Sequence, residues 1–139
     1  MSQDNVEFVR RYYVKWNAGD MKAMAASLPE EIIIDLSRRK LDPEVLSGRD
    51  AALSFSRTWF QLWDSHQVEI ERVAEIGDQV LLFVLITALG RGSRVPVQAR
   101  VAHLWTFRDG VPVRLDYFAE RAEALEAVGL SEQDALADS

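Results

Sequence analysis

Ten consecutive residues, Val80 to Leu89 (VLLFVLITAL), carry no charge and only one hydroxyl, and turn-forming residues stand on both sides. The run is about half the length needed to span a bilayer. Gly77-Asp78 precedes it and Gly90-Arg91-Gly92-Ser93 follows it, so it reads as a strand between tight connections. A strand that is apolar at nearly every position must be buried on both faces. Whatever fold the chain adopts has to cover this strand twice.

The rest of the chain supplies the covers. Residues 5–18 place Val6, Val9, Tyr12 or Tyr13, and Trp16 at helical spacing. Gly19 suits the position just past a helix end, and Asp20 can cap a second helix running to Leu28, ended by Pro29. Ile32-Ile33-Ile34 reads as a short strand, and Leu36 to Gly48 as a loop holding Pro43. A third helix is expected from Ala51 to about Trp63 with Asp50 as its cap and a stripe of Ala52, Phe55, Trp59, Phe60 and Trp63. From Val68 the apolar period becomes two, giving strands near 67–75, 79–89, 95–107 and 112–119, the last pair joined by Asp109-Gly110. A short helix over 122–128 closes at Gly129, and residues 131–139 are expected to fray. Three helices followed by an antiparallel run make an α+β single domain over residues 1–139. The helices can cover one face of the apolar strand; a second copy of the chain on the other face predicts a homodimer through the outer sheet surface.

Composition removes several functions. A formal charge of −6 disfavours a phosphate-binding surface, so no nucleic-acid partner is expected. The one basic run, Arg38-Arg39-Lys40, reads as solvated. With no cysteine and two histidines, neither a thiolate nucleophile nor a metal site is expected. The first residues, MSQDNVEF, lack the basic and apolar blocks of a signal peptide, which with the absent membrane span predicts a cytoplasmic protein.

The stretches RYYVKWNAGD (11–20), LSGRDAALSF (46–55), HLWTFRDGVPVR (103–114) and YFAERAEALEAVGL (117–130) together resemble the nuclear-transport-factor-2-like superfamily, in its SnoaL-like and ketosteroid-isomerase-like branch. The resemblance implies a conical half-barrel: three N-terminal helices on the concave face of a strongly curved, mainly antiparallel sheet, with an apolar cavity between them and a short C-terminal helix. It implies a small apolar ligand and no cofactor. Tyr12 lies five residues before Asn17, the position at which ketosteroid isomerases hold their dienolate oxygen. His103, four residues before Phe107, stands where that family has a protonated aspartate. The family's general base is an aspartate after the second helix. Counted without gaps its place falls on Leu36, and Asp35 beside it can serve only if the register slips by one. The limonene-type epoxide hydrolase mechanism is disfavoured, because Phe83-Val84-Leu85-Ile86 carries none of the charges it requires.

The resemblance thus implies Tyr12, Asp35 and His103 as a catalytic set, the first and last polarising an oxygen and Asp35 moving a proton. Trp16, Trp59 and Trp63 are expected to line the pocket, with Trp59 and Trp63 sharing a face of helix 3. Val84, Ile86, Trp105 and Tyr117 complete the expected lining, and Tyr13 reads as rim or packing. Arg100, Arg114 and Asp116 alternate with the cavity-facing set and are expected to make cross-strand or dimer contacts. Three readings stay open: a proton-transfer enzyme acting on a carbonyl or enolate, a non-catalytic pocket, and an assembly module whose cone is filled by its own tryptophans.

Overall fold

A computed structural model describes residues 2–40 and 42–131. Helix α1 (Ser2–Asn17) ends at Gly19, whose φ of 70° is the left-handed conformation that a glycine takes without strain. Asp20 then caps α2 (Met21–Ser27), accepting from the Ala23 amide at 3.1 Å. The corner is pinned by Asn17, whose side-chain amide donates to the Val68 carbonyl and accepts from the Val68 amide. One side chain thereby replaces a strand neighbour for the backbone at Val68.

Strand β1 (Ile33–Asp35) is followed by β2 (Val45–Ser47), which pairs with it antiparallel inside the segment expected to be loop. Helix α3 (Arg49–Leu62) starts two residues earlier than expected: Gly48 takes the N-cap position at φ 99°, and Asp50 lies in the first turn. Trp63 is not the end of that helix but its extended C-cap, and the first residue of β3 (Trp63–Ile76). The meander continues through β4 (Gln79–Gly90), β5 (Pro96–Arg108) and β6 (Val111–Phe118), and α4 (Arg121–Ala127) follows. At the last hairpin both Asp109 and Gly110 have positive φ, the geometry a tight two-residue turn demands.

The six strands form one curved, unclosed sheet in the order β2-β1-β6-β5-β4-β3, antiparallel except for β1 beside β6. Its concave side and the first three helices enclose the main core, in which Val9, Ile32, Leu82, Val84 and Trp105 are fully buried. The convex side holds a second core: Ala74, Leu81, Phe83, Ala102, Leu104 and Phe118 packed under Ala124 and Leu125 of α4. The premise of the dimer argument is therefore only half correct. Over Leu81 and Phe83 the second cover is the chain's own last helix. Among the described residues no helix is long and apolar enough to cross a membrane. Residues 132–139, most of the segment expected to fray, lie outside the described residues.

Candidate functional site

Register decides which side chains meet inside the cone. The β4–β5 ladder pairs Leu82 with His103, Val84 with Val101 and Ile86 with Ala99, and β5–β6 pairs His103 with Tyr117 and Trp105 with Leu115. Directly paired residues share a face, so His103, Trp105, Leu115 and Tyr117 point the same way as the apolar set of β4. Between this wall and the helices lies a cavity of about 200 Å³. Tyr12, Tyr13 and Trp16 of α1, Phe55, Ser56 and Trp59 of α3, and Trp63, His103 and Tyr117 of the sheet are among its walls. The cone is not filled by its own tryptophans; they stand around an open space.

The polar centre of the cavity is a relay that composition alone does not reveal. Trp105 Nε1 donates to the Tyr13 hydroxyl at 3.2 Å, and that hydroxyl lies 2.6 Å from His103 Nδ1. An indole can only donate, so the hydroxyl accepts from Trp105. The arrangement that satisfies all three groups has Tyr13 donating to Nδ1, which leaves the His103 proton on Nε2. Burial pushes the His103 pKa down from 6.5 to about 4, so the ring is neutral at neutral pH. The same burial raises the pKa of both Tyr12 and Tyr13, keeping each phenol protonated. The Tyr12 ring packs edge-on against Tyr13 and Trp105, at 5.6 and 5.0 Å between centroids. Among the described residues its hydroxyl has no hydrogen-bond partner.

Asp35 is not part of this site. It lies on the convex face, paired in register with Asp116, and the cavity is lined on either side of it by Ile34 and Leu36. Its carboxylate accepts from the Ser37 amide at 2.9 Å and from the Ser37 hydroxyl, and pairs with Arg114 Nη2 at 2.7 Å. Those bonds from Ser37, with Arg38 and Arg114 nearby, lower its pKa. A general base needs the reverse, and no register slip occurs to bring it inward. Arg114 also pairs within its own strand with Asp116 at 3.0 Å, while Arg114–Asp35 and Arg100–Glu71, the latter at 3.4 Å, are ion pairs between strands. Val84 and Trp105, expected in the lining, are instead fully buried beneath it, Trp105 acting through Tyr13.

Two further features escaped the sequence reading. Tyr13, read as packing, is the residue that fixes the His103 tautomer. Arg39, read as solvated, is half-buried at the mouth, with its guanidinium 5.4 Å above the Phe55 ring. It lines both the cavity and a wider exterior groove of about 590 Å³ between α3 and the 42–46 segment. Trp59 also stands in both, and the indole nitrogens of Trp59 and Trp63 are buried without a hydrogen-bond partner. Each such unpaired donor costs about 1–3 kcal/mol. Among the described residues no carboxylate lines the cavity and no cluster of three or more His, Asp or Glu could hold a metal ion.

Solved structures of this shape are many. A candidate SnoaL-like polyketide cyclase from Jannaschia sp. CCS1 is 18% identical over 94% of this chain and 95% of its own, with a TM-score of 0.75. A ketosteroid-isomerase-like protein from Catenulispora acidiphila, solved with trimethylamine, is 15% identical over 90% of this chain and 94% of its own, at 0.73. An NTF2-like protein from Burkholderia pseudomallei K96243 is 18% identical over 92% of this chain and 98% of its own, also at 0.73. At these identities the likeness concerns the fold. Among curated proteins none matches by sequence. The SnoaL-like domain family matches residues 9–115, which run from within α1 into β6 and supply most of the cavity wall: the chain belongs to the SnoaL-like domain family.

Proposed function

We propose that the cavity binds a small apolar carbonyl compound and polarises its oxygen through the Tyr12 hydroxyl and the His103 Nε2–H. The observation that carries this reading is the 2.6 Å contact between Tyr13 and His103 Nδ1, which leaves the other imidazole nitrogen as a fixed donor in an apolar cavity. Both donors work as neutral acids, since burial holds His103 deprotonated and Tyr12 protonated. A volume of about 200 Å³ lies below the range of roughly 300–1,000 Å³ usual for drug-sized ligands. One or two fused rings suit it.

Proton abstraction is left out of the reading. No described carboxylate lines the cavity, and a histidine whose pKa sits near 4 is a weak base at neutral pH. The domain is thus read as a ligand-binding and polarising pocket rather than an isomerase with a carboxylate base. A homodimer through the part of the convex face that α4 leaves uncovered belongs to the same proposal.

The test uses 2-acetylnaphthalene labelled at its carbonyl carbon. Bound to the protein, its carbonyl stretch should fall below its value in hydrocarbon solvent, and Tyr12→Phe and His103→Phe should each reverse part of the fall. A carbonyl band unshifted from hydrocarbon overturns the polarising role. Deuterium exchange of the methyl group should run at the buffer rate; protein-catalysed exchange lost in His103→Phe would restore the enzyme reading instead.

A further inference from the structure

The hydrogen-bonding groups of the cavity are unequally matched. The Trp59 and Trp63 indole nitrogens are buried donors with no acceptor, on rings 5.4 Å apart. Arg39 adds a cation that lies over the face of Phe55 and makes no ion pair among the described residues. The cation is felt inside the cavity: burial raises the Tyr117 pKa, and Arg39 pulls it partly back. Ser56 has already spent its hydroxyl proton on the Ala52 carbonyl. No described residue offers a carboxylate to these donors from within the cavity. Asp42 and Glu44 line the exterior groove beside Arg39, yet neither lies within ion-pair distance of it. Their neighbours Arg38 and Lys40 leave the segment with no excess of negative charge.

A half-buried guanidinium over an aromatic ring keeps its donors for a ligand, and it recognises a carboxylate through two parallel bonds. We infer that Arg39 is the residue that selects the ligand: the occupant is an aromatic acid whose carboxylate sits at the mouth against Arg39 while its ring lies among Trp16, Trp59 and Trp63. This rests on the cavity being a ligand site, and it adds to the polarised oxygen of that reading a carboxylate, carried by the same ligand, at the mouth.

Isothermal titration at neutral pH and low salt compares naphthalene-2-carboxylate with the neutral 2-acetylnaphthalene. The acid should bind about tenfold more tightly, the gain of one charge-assisted contact at a half-buried site. Arg39→Gln should remove that preference by weakening the acid at least tenfold more than the ketone, and Arg39→Lys should keep part of it. Salt at about 0.5 M should narrow the preference in the wild type and in Arg39→Lys, but not in Arg39→Gln. A preference that survives in Arg39→Gln would place the anion at His103 and Tyr12 and overturn the assignment; so would equal binding of the two probes by the wild type. If neither probe binds, the cavity is not a site for small aromatic ligands, and the proposed function fails together with the selectivity.

Discussion

His103 couples the site to stability, and the sign of the coupling follows from its surroundings. In the unfolded chain its pKa is near 6.5, whereas in the fold burial pushes it down to about 4. Between those values the unfolded chain binds a proton that the native ring refuses, so stability is lost as pH falls through the window. The loss attributable to this residue amounts to at most about 3 kcal/mol. His66, stacked on Phe60 at 4.4 Å and also lowered by burial, adds to the slope in the same sense. Chemical denaturation at several pH values should show wild-type stability falling between about pH 6.5 and 4.5, and a flatter curve for His103→Gln. Equal slopes for the two proteins would mean that the ring is solvated or charged. At this scale the sequence is readable where alternation governs. Tyr12 and His103 were placed by counting, and counting also put Leu36, not Asp35, on the inner face. Arg39 was not readable, because a basic triplet in a loop looks solvated until the fold sets it against Phe55. Tyr13 was not readable either: adjacent tyrosines on one helix look alike until a partner 90 residues away chooses between them.

Among the elements, the ones that bear a strong period were the easiest to foresee, and the ones that only tertiary context creates were missed. The apolar strand and its hairpins follow from turn chemistry and from period two. Strand β2 has three residues in a segment containing Pro43, and it exists because β1 offers it an edge. Helix α4 was foreseen in place but not in its task. Arg121 seats it: the guanidinium meets Glu71 at 2.7 Å and the Val84 carbonyl at 3.1 Å, and lies 4.7 Å over the Phe83 ring. The Leu130 amide then returns to the Leu125 carbonyl at 2.9 Å, with Gly129 at φ 73° making the reversal. If this helix is what buries the convex end of β4, Leu125→Ala should destabilise the domain by about 2–5 kcal/mol, since its side chain is 2% exposed. Val14→Ala, at a site 68% exposed, should stay within about 0.5 kcal/mol. Thermal or denaturant unfolding compares the two. A small effect at Leu125 would mean that the helix is loosely held and that Leu81 and Phe83 find their cover elsewhere.

For the whole molecule the open question is the uncovered part of the sheet. Register places Ser65, Gln67 and Glu69 of β3 beside Leu89, Thr87 and Leu85 of β4, and those beside Pro96, Gln98 and Arg100 of β5. All nine share the convex face, beyond the end that α4 protects. The three β4 side chains keep partial exposure although β4 has a strand on either side, while the flanking positions are exposed and mainly polar. An apolar strip within a polar rim is the anatomy of an interface between proteins. A two-fold axis lets the strip meet its own copy, with no new surface needed. Light scattering at micromolar concentration should therefore give twice the 15.8 kDa chain mass. Leu85→Glu puts a carboxylate opposite its own image across the axis. It should yield a monomer with the cavity and its ligand affinity retained, because Leu85 faces away from His103 and Tyr12. A monomeric wild type would mean that two half-exposed leucines and a threonine are tolerated in water, and that the apolar run in β4 serves only the two cores within one chain.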